Sequence, residues 1–143
     1  MLNTGIRLGE ALFLKWEDVD FESRTIYIHG NVSEHKVREN GKVCYVLEEQ
    51  STPKTKKSVR YVSLNDRAVG ALEKLKAVAG EDTHVLSTKE HTLISPDNMY
   101  RTFKNILKQC NITQVNDIIH SLRHPFATTL ILGGEDIKVV SEL

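Results

Sequence analysis

Asn65 divides this sequence into two halves that obey different periods. Upstream of it, Thr25-Ile26-Tyr27-Ile28-His29, Val43-Cys44-Tyr45-Val46-Leu47 and the run from Val59 to Leu64 are short and rich in β-branched and aromatic residues, the composition of strands. Asn40-Gly41 precedes the second run and reads as a hairpin turn, because the favoured two-residue loops need positive φ. Downstream the apolar residues recur at helical spacing. Asn65 caps a helix reaching about Ala79, in which Val69, Leu72, Leu75 and Lys76 carry the helical period. Ser95-Pro96-Asp97 offers an N-cap, a first-turn proline and an acid, and so opens a helix to Cys110 with Met99, Phe103, Ile106 and Leu107 inward. A further helix begins near Ser121, with Phe126, Leu130 and Leu132 as core, and stops at Gly133-Gly134; a last one opens at Glu135-Asp136. Before the strands, Leu8 to Leu14 is a short helix against which Trp16 is expected to pack. Strands grouped first and helices grouped after predict an α+β fold. The expectation is one mainly helical domain, its helices packed around a small three-stranded antiparallel sheet.

Composition bounds the partners without choosing one. A chain of 143 residues, 40% hydrophobic and 27% charged, can bury a core as a single domain. No apolar run approaches the roughly 18 residues of a membrane span, and no leader peptide precedes the first motif, so a cytoplasmic protein away from membranes is expected. Cys44 and Cys110 are too few for a disulfide framework and lack the close pairing of a zinc site. His29, His35, His84 and His91 have no partner at metal-ligand spacing, so no metal and no cofactor is expected. The 19 basic and 19 acidic residues cancel. They are unevenly spread, however, with Lys54, Lys56, Lys57 and Arg60 close together and no acid between them. Such a patch can steer nucleic acid at zero net charge.

Two short segments carry chemistry: Thr4-Gly5-Ile6-Arg7-Leu8-Gly9-Glu10, and far downstream His120-Ser121-Leu122-Arg123-His124. Arginine suits a phosphodiester because its planar, permanently charged fork donates parallel hydrogen bonds to phosphate oxygens. Pro125 is tolerated only in a first helical turn, which puts Arg123 near a helix N-terminus, where backbone donors and the dipole also favour an anion. His120 precedes the same turn. Glu10 stands about one turn beyond Arg7, a sensible place for a carboxylate that orients it. A lone arginine or histidine is ordinarily a solvated residue, and His124 reads as a packed, hydrogen-bonded helix residue. The pairing of the two segments is what raises Arg7, His120 and Arg123 above that.

The segment TGIRLGEALFLKWEDVDFESRTIYI resembles the first conserved box of the tyrosine recombinases, the phage integrase family, and IIHSLRHPFATTLILGGEDIKVVSEL resembles the second. The order of the boxes and the lysine-bearing hairpin between them agree, over nearly the whole chain. The resemblance implies an integrase-like catalytic domain acting on double-stranded DNA. In that reaction a tyrosine attacks the backbone without a metal and forms a 3′-phosphotyrosyl link that is later religated. By the resemblance Arg7 and Arg123 clamp the scissile phosphate, His120 assists them and Glu10 buttresses Arg7. Pro53-Lys54-Thr55-Lys56-Lys57-Ser58 resembles the family's PKTKxS turn, which makes Lys54 the acid for the leaving 5′ oxygen, with Lys56 as substitute. Lys56, Lys57 and Arg60 are then phosphate contacts.

The sequence also departs from that pattern. Tyr27, Tyr45, Tyr61 and Tyr100 all precede Arg123, so none matches the nucleophile's place. The LGH-like box that follows in the family is not met, and Pro125 replaces the usual small hydroxyl residue. Residues 1–143 are therefore expected to be a truncated catalytic domain without the family's N-terminal DNA-clamping domain and its C-terminal nucleophile segment. Such a piece is expected to be inactive and monomeric alone, in a protein that recombines as a tetramer on DNA and serves integration by a phage or mobile element. Two other readings remain at this point: a non-enzymatic DNA-binding relic or regulator, and a type IB topoisomerase-like enzyme that religates the same strand.

Overall fold

The computed structural model describes residues 1–39, 41–51, 59–112 and 119–136. Helix α1 (Leu8–Phe13) leads through a 3₁₀ turn (Trp16–Asp18) to strands β1 (Val19–Asp20) and β2 (Thr25–Ile28). A long hairpin follows, β3 (Asn31–Glu39) and β4 (Lys42–Gln50), then β5 (Arg60–Ser63). Helices α2 (Asp66–Ala79), α3 (Pro96–Gln109) and α4 (Arg123–Leu132) complete the described chain, with a 3₁₀ turn (His120–Leu122) running into α4. The helix starts are those the sequence marks: the Asn65 side chain accepts from the Ala68 N–H at 2.9 Å and Ser95 Oγ from the Asn98 N–H at 3.1 Å.

The architecture is mixed α+β rather than mainly helical, and its strands divide differently from expectation. The three-stranded antiparallel sheet has the order β1-β2-β5, while the 43–47 run belongs to a separate two-stranded sheet, β3-β4. The strand preceding the turn, β3, carries Glu34, Lys36, Arg38 and Glu39 among only two apolar residues, and lacks the apolar signal that marks a strand. Glu39 pairs with Lys42 and Gly41 has φ +77°, as a tight two-residue loop requires. Asn40 itself lies outside the described residues.

Period-two alternation builds the core. Ile26 and Ile28 on β2 and Val62 on β5 turn inward to meet Leu14, Leu64 and Leu72. Tyr27 and Tyr61 face outward as a cross-strand pair with ring centroids 4.9 Å apart. On the other side of α1, Leu12 and Phe13 pack on Val32 at the root of the hairpin. Lys76 lays its ammonium 5.8 Å from the Trp16 ring and 5.1 Å from that of Phe21, so Trp16 is shared between the core and α2.

The last two helices are less buried than their patterns predict. On α3, Met99, Phe103 and Leu107 are half-buried and Ile106 is exposed. On α4, Phe126 and Leu130 are half-buried, whereas Leu132, expected in the core, is 83% exposed. The reason is where α4 docks. Its first turns meet the N-terminal segment, with the Phe126 ring lying over Gly5, and its far end extends past that contact.

Gly5 has φ +66°, and a Cβ there would stand 2.5 Å from Phe126 Cδ1. Replacing it with alanine therefore combines left-handed strain with a clash against a rigid ring. Gly5→Ala is expected to lower stability by about 2–4 kcal/mol in urea denaturation. Phe126→Ala introduced into that variant should return the steric part; a further loss of stability instead would show that Gly5 does not seat this ring.

Candidate functional site

The two chemistry-bearing segments meet through one hydrogen bond. Arg123 Nε donates to the Gly5 carbonyl at 2.7 Å across 118 residues of sequence. That contact accounts for the glycine: its positive φ and missing side chain let α4 come down on the turn, which brings Arg123 beside the segment that carries Arg7. The second glycine of the motif does similar work on the other face. A Cβ on Gly9 would stand 2.0 Å from Asn31 Oδ1 and 2.6 Å from the Val32 carbonyl oxygen, so α1 can lie against β3 only with glycine there.

Glu10 anchors the first segment. It is 6% exposed, in the row of α1 that also carries Phe13, where a core residue belongs. Its Oε2 accepts the Arg7 backbone N–H at 2.7 Å, closing the start of α1, and its Oε1 accepts Arg7 Nη1 at 3.0 Å. Arg60 reaches the same carboxylate from β5, with Nη1 on Oε1 and Nη2 on Oε2, both at 3.0 Å. This is the bidentate pairing for which arginine is suited. Burial alone pushes the Glu10 carboxyl up; the Arg60 hydrogen bond, the Arg7 backbone N–H, the Arg60 charge and the Arg7 side chain outweigh it, so it lies below the ordinary glutamate value.

Arg7 keeps 52% of its side chain exposed. Arg123 is half-buried; burial and the Arg7 charge lower its pKa, Glu10 opposes them and Arg60 adds to the lowering. The guanidinium groups thus feel one another, although arginine keeps its charge throughout this range. An anion between Arg7 and Arg123 would meet matched charge and forked donors.

His120 is exposed on the turn that leads into Arg123, its ring edge-on to His124 at 5.9 Å between centroids. His124, expected to be packed, is exposed. Pro125 falls in the first turn of α4, but the helix does not start abruptly. Leu122 is already helical, and the Arg123 N–H donates back to the His120 and Ser121 carbonyls. The expected backbone donors at Arg123 are therefore partly used inside the 3₁₀ turn, and what the site offers an anion is mainly side-chain charge.

Lys54, Lys56 and Lys57 lie outside the described residues. Arg60, grouped with them in sequence as a phosphate contact, has a different place: its side chain is 15% exposed and its fork is on Glu10. Strand parity carried the signal. Arg60, Val62 and Leu64 alternate with Tyr61 and Ser63, so the arginine shares the inward face with two buried aliphatics. Of the tyrosines, Tyr45 and Tyr61 are exposed on strands and Tyr27 stacks between His29 and Tyr61.

A carboxylate held below its ordinary pKa stabilises the fold fully at neutral pH and loses that contribution as pH falls through and below the usual glutamate range. Glu10→Gln is expected to cost about 2 kcal/mol at pH 7. It should also flatten the dependence of the urea midpoint on pH between about 5 and 3. A variant whose acid sensitivity equals that of the parent would show that Glu10 does not carry it.

Known proteins resemble this chain along its whole length. A XerC-like tyrosine recombinase of Caldanaerobacter subterraneus subsp. tengcongensis is 34% identical over 98% of this chain and 39% of its own. The ICEBs1 integrase of Bacillus subtilis is 31% identical over 97% of this chain and 38% of its own. The chain thus spans about two fifths of the length of these curated relatives. Among solved structures, the Tn1549 transposon integrase in complex with circular intermediate DNA superposes with a TM-score of 0.76. It is 22% identical, and the match covers 99% of this chain and 47% of that one. The XerA recombinase follows at 0.72 with 23% identity, over 99% of this chain and 43% of that one. At those identities the likeness is one of fold. The sequence pattern described as the phage integrase family, in turn, matches residues 1–143 from end to end, and the chain belongs to that family.

Proposed function

We propose that residues 1–143 form the phosphate-gripping part of a DNA integrase or site-specific recombinase catalytic domain. The observation that carries this reading is the 2.7 Å hydrogen bond from Arg123 to the Gly5 carbonyl, which brings Arg123 beside the segment that carries Arg7 although the two lie far apart in sequence. A structural arginine needs no such partner. Two of them converging with a histidine on the adjoining turn suit a backbone phosphate.

In the proposed reaction double-stranded DNA lays its scissile phosphate against Arg7 and Arg123, with His120 donating to the same oxygens. A tyrosine hydroxyl, supplied from outside these residues, attacks phosphorus and releases its proton to water. The bond to the 5′ oxygen breaks as the new one forms, and Lys54, or Lys56 in its place, gives that oxygen its proton. The product is a 3′-phosphotyrosine and a free 5′ hydroxyl. Attack by a 5′ hydroxyl of a partner strand then reverses the chemistry, releasing the tyrosine. Charge builds on the non-bridging oxygens in the transition state, which is where fixed guanidinium groups lower the barrier most. Glu10 serves by holding Arg7 still. On DNA the protein would work as a tetramer, with residues 1–143 alone monomeric.

A polypeptide carrying residues 1–143 together with a downstream tyrosine should trap a covalent protein–DNA adduct on a nicked suicide substrate. Arg123→Ala should lower adduct formation by at least about a hundredfold; undiminished adduct would sink the assignment. In the 143-residue chain, Lys56→Ala and Lys57→Ala should each weaken duplex binding irrespective of sequence and reduce the slope of log affinity on log salt by about one. An unchanged slope would remove these lysines from the DNA interface.

A further inference from the structure

Arg60 begins a strand on its inward face, where the register calls for an apolar side chain, and the reaction scheme gives it nothing to do. We infer that Arg60 is a positioning residue for Arg7, acting through Glu10: it occupies the carboxylate's bidentate face and so keeps Arg7 turned toward the phosphate. The inference rests on the reading of Arg7 as a phosphate clamp.

The geometry is a competition between two arginines for one carboxylate. Glu10 receives four donors on two oxygens: the Arg7 N–H and Arg7 Nη1, and Arg60 Nη1 and Nη2. Two oxygens offer about four lone-pair sites, so the carboxylate is saturated. Arg60 takes the forked arrangement and is 15% exposed; Arg7 is shown on Glu10 through Nη1 alone and stays 52% exposed. Remove the Arg60 fork, and a buried anion is left three residues from the remaining guanidinium. A buried carboxylate short of donors carries a large desolvation cost. Arg7 can relieve it by swinging inward to engage both oxygens, and in doing so it abandons the exposed position a phosphate needs. Arg60 therefore frees Arg7 by satisfying its rival.

The pair also has a mechanical consequence. Arg60 opens β5 directly after the segment that carries Lys54, and Glu10 lies on the helix that follows Arg7. One ion pair thus ties the start of β5 to α1.

The test is a mutant cycle read by fluorescence anisotropy on a short labelled DNA duplex, each variant held well below its unfolding temperature. Arg7→Ala should weaken binding about tenfold and Arg60→Met by a similar factor. If Arg60 acts through Arg7, the double variant binds no more than about twofold worse than either single one. Adding Glu10→Gln to Arg60→Met should regain part of the affinity, because the neutral amide no longer draws Arg7 inward. Losses that multiply in the Arg7/Arg60 double variant would make Arg60 a direct DNA contact and overturn the inference alone. So would an Arg60→Met protein that melts earlier yet binds as well as the parent, since the pair would then only hold the fold. An Arg7→Ala protein with undiminished affinity would instead bring down the phosphate-clamp reading and this inference with it. Should Arg60→Met not fold, Arg60→Lys keeps the charge without the fork and is expected to lose about threefold, and placing it in the Arg7→Ala protein should add nothing to the loss that Arg7→Ala already shows.

Discussion

The buried carboxylate of Glu10 is the interaction on which the arrangement of the site depends. It sits where α1 should present an apolar residue to the core, and it is tolerable there because two arginines and a backbone N–H saturate it. A hydrophobic residue at that point would pack as well and hold α1 as firmly. What it could not do is fix the direction of two guanidinium groups. The fold accepts a charge in its interior and gains an arginine whose aim is set from below.

The second joint is of another kind. Arg123 meets the N-terminal turn through a carbonyl oxygen, and what permits the approach is the absence of atoms at Gly5. Four residues of the first motif thus have a physical reason. The first glycine admits α4, the second admits β3, the glutamate fixes the arginine, and the arginine faces out. The motif describes a docking surface as much as a set of chemical groups.

Local signals made most of the elements legible in sequence: Asn65 and Ser95 cap their helices, and Gly133 and Gly134 follow the end of α4. The hairpin was harder. Its first strand, from Asn31 to Glu39, carries charges on both faces because much of it lies against solvent, so the alternation that marks a half-buried strand is missing. Proximity in sequence groups Arg60 with the neighbouring lysines, whereas strand parity groups it with Val62 and Leu64. Leu132 was placed in the core because helical spacing reports which residues share a face and not how far along the helix that face is covered. Charge proximity in sequence and charge proximity in space diverge wherever a strand begins.

The long reach from Gly5 to Arg123 also orders events in time. The two apolar clusters that bind α1, the sheet, the hairpin root and α2 contain no residue of α4, and α4 has no fully buried side chain. The core can therefore close before α4 is in place, and a contact spanning nearly the whole chain is among the slowest to form. Undocking of α4 would part Arg123 from the Gly5 turn at a cost below that of global unfolding. Any anion that bridges Arg7 and Arg123 then stabilises the docked helix by mass action. For the proposed phosphate, occupancy and docking of α4 would then be one equilibrium.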